Sequence, residues 1–203
     1  AHDALDAKHR AGLIYDSTWY AEQADTAFLC GTVFPFRPVS TCTGRILELV
    51  ELPNVIEDGI VFGVYGEGTQ RDTDGAVADG RRAIDAAVRR NGAVVFNWHQ
   101  RVFALMDRYG NTPADWTVAY RRLAEYALEQ PVDWWVALPS EIARWWLLRR
   151  QVRVSLLSDE VEVSNHACQE FQGALRLIWP NAEDVRPVTI QPNRSIRVRL
   201  RTR

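Results

Sequence analysis

The side chains able to do chemistry in this sequence are few and scattered. His2, His9, His99 and His166 are its four histidines, and they share no spacing that would gather imidazoles around one metal ion. Cys30, Cys42 and Cys168 are an odd number without a CxxC pair. That argues against a zinc knuckle or a disulfide scaffold and leaves open a bridge from Cys30 to Cys42 across one loop. What remains are single groups at the ends of apolar runs: Asp16, Asp58 and His99. At such positions a side chain either meets a ligand or caps the backbone. Arg37, in FPFRP, has the charge to meet a substrate carboxylate or to sit in solvent. Trp19, Tyr20 and Phe34 offer flat faces for sugar stacking or for packing within their loop. The eight tryptophans of the chain divide between the same two readings, with core filling the stronger for most of them.

Positioning these groups requires strands and helices in alternation. Ala4, Leu5, Ala7 and Ala11 fall at helical spacing, and Gly12 closes that helix. Leu13–Thr18 reads as a buried strand. Residues 19–43 form a long irregular loop, of the kind that is usually functional. Arg45–Pro53 alternates as the next strand, with Asp58 just past it, and the glycine-rich run Gly63–Gly75 reads as a mobile connection or lid. A helix over 74–90 follows, with Ala78, Ile84, Ala87 and Val88 on its apolar face. Gly92–Trp98 is a continuous apolar strand that ends at His99. A short helix is predicted over 101–109, and a longer one to about Glu129 with Asn111 or Thr112 as cap and Pro113 at its first position. Trp134–Leu138 is predicted as a strand and 140–150 as a helix capped by Ser140. Trp145 and Trp146 are adjacent on that helix, cannot share a face, and read as packing residues.

After Arg150 the period changes to two. VRVSLL, EVEVS, GALRLIW, VRPVTI and SIRVRLR are separated by short polar turns, the pattern of a small antiparallel sheet or sandwich. The expected domains are therefore 1–150 and 151–203. The second is too short to hold much of a core by itself. The arginines of RSIRVRLRTR suit either an acidic sugar or a half-buried edge strand, and the second reading is preferred.

Composition limits the partners. A net charge of −2 and a pI near 6.1 lack the basic excess that tracks a phosphate backbone, so nucleic acid is not expected. No apolar run approaches the roughly 20 residues of a membrane span, so no membrane is expected either. AHDALDAKHR has no signal-peptide core and no initiator Met, and the sequence reads as a processed protein or a fragment.

The order of elements is that of a parallel (β/α) barrel, and the residues at the strand ends are more specific. AGLIYDST, GTVFPFRP, ELPNVIED, GAVVFNWHQ and WWVALPSEIARWW occur in that order. Together they resemble the second half of polysaccharide-deacetylase-family proteins over roughly residues 9 to 150. The resemblance implies an α/β fold: part of a deacetylase-type (β/α) barrel, followed here by the small antiparallel β domain. It implies metal-dependent removal of N- or O-linked acetyl groups from a carbohydrate, with a divalent metal, most commonly zinc, held by an Asp and two His. The family's TFDDG and H-S/T-x-x-H motifs are absent, so the metal ligands cannot be identified in this chain and would lie upstream or in a separate chain. The match assigns His99 as the catalytic residue, a proton donor or a contact to the acyl product. Asp16, Trp19, Arg37, Asp58 and Trp98 become candidate substrate-binding residues, Trp98 before the His departing from the family's common L-x-H form and implying a narrower or differently shaped pocket. Two other readings stay open: a non-catalytic glycan-binding or interaction protein on the same barrel, and a glycoside hydrolase drafting two of Asp16, Asp58 and Glu67.

Overall fold

A computed structural model describes residues 2–19, 32–64, 71–105, 110–179 and 182–200. The chain divides into two compact units, Ala1–Ala143 and Arg144–Arg203.

In the first unit, helix α1 (His2–Arg10) ends where the sequence places its stop. Gly12 takes a positive φ of 79°, and the N–H groups of Gly12 and Leu13 close on the carbonyls of His9 and Lys8, the double bond of a glycine-terminated helix. Strand β1 (Tyr15–Asp16) pairs in parallel with β2 (Val50–Glu51), Asp16 opposite Glu51. Strand β3 (Ile56–Glu57) pairs in parallel with β4 (Phe96–Asn97). Each ladder is shorter than the apolar run that holds it. Pro53, which has no N–H to donate, separates β2 from β3. On the other side of β2, Glu51 exchanges both backbone bonds with Phe36. The long loop is thus not wholly irregular: Val39 bridges Ile46 and folds 38–47 back on itself.

Helix α2 (Asp58–Val61) leaves β3 directly. Helix α3 (Thr73–Arg89) is capped by Asp72. It buries Ala76, Val77, Ala83, Ile84 and Ala87 against Trp116, Ala119 and Leu123 of helix α4 (Pro113–Leu128). Ala78, expected on the apolar face, is exposed. Thr112 is the cap of α4, and with Asp115 it makes a reciprocal capping box ahead of Pro113. The helix expected over 101–109 is a single 3-10 turn, Gln100–Phe103, and residues 106–109 lie outside the described residues. The strand expected over Trp134–Leu138 does not form: the segment has no regular secondary structure and pairs with no strand among the described residues. Trp135, Val136 and Leu138 stand exposed, because an apolar run becomes a buried strand only when a neighbour supplies the ladder.

Helix α5 runs from Pro139 to Arg149. It begins one residue before the expected cap, and the side chain of Glu141, not that of Ser140, accepts the Leu138 N–H at 2.7 Å. The division between units falls inside this helix, not near residue 150, because Trp145 and Leu148 pack into the core of the second unit. The described residues of that unit form five antiparallel strands: β5 (Val152–Leu156), β6 (Glu160–Asn165), β7 (Phe171–Trp179), β8 (Ala182–Ile190) and β9 (Arg194–Arg199). They form a three-stranded sheet in the order β5-β6-β9 and a β7-β8 hairpin. Val161, Val163, Phe171, Val188 and Ile190 make the core between them.

The architecture is mixed α/β with a small antiparallel region. Among the described residues the parallel strands do not close into a barrel. No helix there is long and apolar enough to cross a membrane.

Candidate functional site

Because β3 and β4 are parallel and in register, the residues that follow them emerge together. Asp58 is the first residue of α2 and is 1% exposed. Its carboxylate is surrounded by donors: the Gly59 N–H at 2.6 Å, the His99 N–H at 2.7 Å, and His99 Nδ1 at 3.0 Å from both oxygens. His99 has extended backbone and starts the 3-10 turn, whose Val102 N–H returns to the His99 carbonyl at 3.2 Å. Peptide and ring are therefore both oriented by one carboxylate. The ring is 40% exposed while its partner's side chain is 2% exposed. A carboxylate only accepts, so Nδ1 carries a proton and Nε2 is left for chemistry. In neutral His99, Nε2 is a base. In the cation it is an acid.

Trp98, the residue before His99, meets Trp116 and Tyr120 edge-on, with ring centroids 6.3 and 5.3 Å apart, and its buried Nε1 has no partner among the described residues.

The other expected residues fall elsewhere. Asp16 Oδ1 accepts from Lys8 Nζ at 2.7 Å and Asp16 Oδ2 from Thr18 Oγ1 at 2.8 Å. Trp19 lies over Phe36, centroids 5.8 Å apart. Arg37 is occupied within its own loop, where Nε donates to the Leu47 carbonyl at 2.8 Å and the guanidinium pairs with Glu48. Phe34 is exposed. Tyr20, Cys30 with its proposed bridge to Cys42, and Glu67 lie outside the described residues. Asp16 and Asp58 sit in separate hydrogen-bonded clusters, and no hydrogen bond joins them.

Asp16 and Trp19 meet around a residue that sequence reasoning missed. Glu51 is fully buried; its Oε1 accepts the Trp19 N–H at 2.8 Å and its Oε2 has no hydrogen-bond partner. Burial pushes this carboxyl up to about 7; the Trp19 N–H opposes the rise, the Asp16 charge adds to it, and Lys8 lowers it. A Glu set directly between Val50 and Leu52, both of them core residues, is the signal that the sequence offers. Ser17 and Asn54 brace the same corner: Ser17 Oγ donates to the Leu52 carbonyl at 2.6 Å, and Asn54 Nδ2 to the Ser17 carbonyl at 2.9 Å.

The described donor set does not fit the metal that the deacetylase resemblance implies. Among the described residues no group of three or more His, Cys, Asp or Glu side chains is arranged to hold a metal ion. Asp58 and His99 already satisfy one another. Comparison of the chain with protein families, with characterised proteins and with solved structures finds no match to any of them.

Proposed function

We propose that the chain is part of a hydrolase that removes acetyl groups from a carbohydrate, with His99 as the residue that moves the proton. One observation carries this reading: a half-exposed imidazole at the end of a parallel strand, its Nδ1 and backbone N–H both held by the buried Asp58 carboxylate. Such a ring keeps one tautomer and one orientation, so Nε2 delivers a proton without first searching for a pose. As the acyl C–N or C–O bond breaks, the leaving nitrogen or oxygen takes the proton from Nε2. Nδ1 keeps its proton and Asp58 its charge, which stabilises the imidazolium before transfer. The acetyl group and the carbohydrate come from the resemblance of the strand-end sequences to polysaccharide deacetylases. In the same proposal the two parallel strand pairs are part of that family's barrel, and the group that activates the attacking water lies on further polypeptide.

The test is acetate release from N-acetylated and O-acetylated oligosaccharides by the protein together with any polypeptide that co-purifies with it. Release that disappears in His99→Ala is the expected result. No release from that assembly overturns the proposal and favours a glycan-binding role without catalysis, and release that His99→Ala leaves untouched overturns the assignment of His99 as the residue that moves the proton.

A further inference from the structure

The second unit holds a groove that the reading above does not use. Arg144 and Leu148 of α5, and Gln151 in the turn that follows it, line this groove together with Gln169 and Glu170, which lead into β7. Between them lies a cavity of about 470 Å³ with Trp145 in its wall, within the roughly 300–1,000 Å³ of pockets that take small ligands.

The wall is fixed. Trp145 Nε1 donates to the Gln172 carbonyl at 2.8 Å, and its ring stacks on Phe171 with centroids 6.0 Å apart and planes 28° apart. The Glu170 carboxylate is held by Gln172 Nε2 at 2.6 Å and by Gln191 Nε2. Arg144, Gln151 and Gln169, by contrast, have no side-chain hydrogen bond or ion pair among the described residues. An indole fixed by Phe171 and the Gln172 carbonyl thus shares one cavity with three polar side chains that have no such bond among the described residues.

The chemistry of the lining selects the ligand. Arg144 and Glu170 cancel in charge, so an anion or a cation gains little. Two amides and a guanidinium would stay unpaired against a purely apolar ligand. Primary amides both donate and accept, as sugar hydroxyls do, and the C–H face of a pyranose packs on an indole. We infer that this groove is a binding site for a neutral pyranose unit of an oligosaccharide, with Trp145 beneath the ring and Gln151, Gln169 and Arg144 meeting its hydroxyls. The site is built without Asp58 or His99 and stands whether or not those residues catalyse.

The full chain is titrated with cellotetraose, xylotetraose, mannotetraose and chitotetraose while the side-chain amide resonances of Gln151 and Gln169 are followed by NMR. At least one of these sugars is expected to shift both resonances together and to saturate. Gln151→Ala combined with Gln169→Ala removes two exposed side chains, so it keeps the wild-type unfolding midpoint while weakening binding by about tenfold or more, read from the Trp145 indole resonance. His99→Ala binds as the parent chain does. No saturable shift with any of the four sugars, binding unchanged in the double variant, or binding lost in His99→Ala each overturns the inference.

Discussion

Asp58 holds His99 twice, through the backbone N–H at 2.7 Å and through Nδ1 at 3.0 Å, so one carboxylate sets both the direction of the chain and the rotation of the ring. The neutral imidazole is expected in the Nδ1–H tautomer, the minor form of free histidine. A long-range ¹H–¹⁵N correlation spectrum reads this directly, with Nε2 as the unprotonated nitrogen. Asp58→Asn, whose amide can donate as well as accept, should mix the tautomers. An Nε2–H imidazole in the parent chain would remove the basis for placing His99 in proton transfer.

Asp58 also answers for stability. Its carboxylate is the partner of the Gly59 and His99 N–H groups, and Asp58→Ala would leave both without it. A buried donor left without its partner costs about 1–3 kcal/mol. Urea denaturation of Asp58→Ala should show a loss of that size. A stability equal to the parent's would mean that water serves those groups equally well.

Glu51 gives the protein a pH dependence whose sign can be stated. Its carboxyl rises from an ordinary 4.5 to about 7 on folding, so between those values the folded chain holds a proton that the unfolded chain has lost. The contribution to stability is complete below the unfolded value and disappears as pH rises through the folded one. The thermal midpoint should therefore fall between about pH 5 and about pH 8, and Glu51→Gln, which cannot ionise, should flatten that slope. A slope identical in the two proteins would show that other groups produce it.

The contact between α3 and α4 depends on Gly80. A Cβ at that position would lie 2.6 and 2.8 Å from the two methyl carbons of Leu123, which is itself fully buried. Overpacking of this kind costs about 1–3 kcal/mol, against a helix-propensity gain of at most about 1 kcal/mol for alanine. Gly80→Ala is expected to destabilise, and adding Leu123→Ala should cost less than the sum of the two single changes. A more stable Gly80→Ala chain would contradict the packing.

The capping box on α4 is testable at its two ends. Thr112→Ala should cost about 1 kcal/mol of stability in chemical denaturation. The Thr112 N–H, and then its hydroxyl, hold the Asp115 carboxyl below its ordinary value of 3.8, so this contribution persists at neutral pH and is lost as pH falls through that lowered value. If Thr112→Ala unfolds at the parent's midpoint, Pro113 and the tertiary contacts alone fix the start of the helix.

Much of this molecule follows from local sequence. The glycine stop at Gly12, the Thr112-Pro113 start of α4 and the five alternating runs after residue 150 all appear where the residues place them, because caps, proline and side-chain period act within a few residues. The placement of Asp58 and His99 at strand ends was legible for the same reason. That they touch was decided by tertiary structure, since β3 and β4 are about 40 residues apart in sequence and only their pairing brings the two ends together. Pairing also buried Glu51, where β1 and the loop around Phe36 close on either side of β2. It also left 133–138 without a partner strand among the described residues. The placing of Trp145 in the second unit, ahead of the change of period at Arg150, has the same origin. Periodicity tells which face of a segment is apolar, whereas the element that covers this face is chosen by the whole chain.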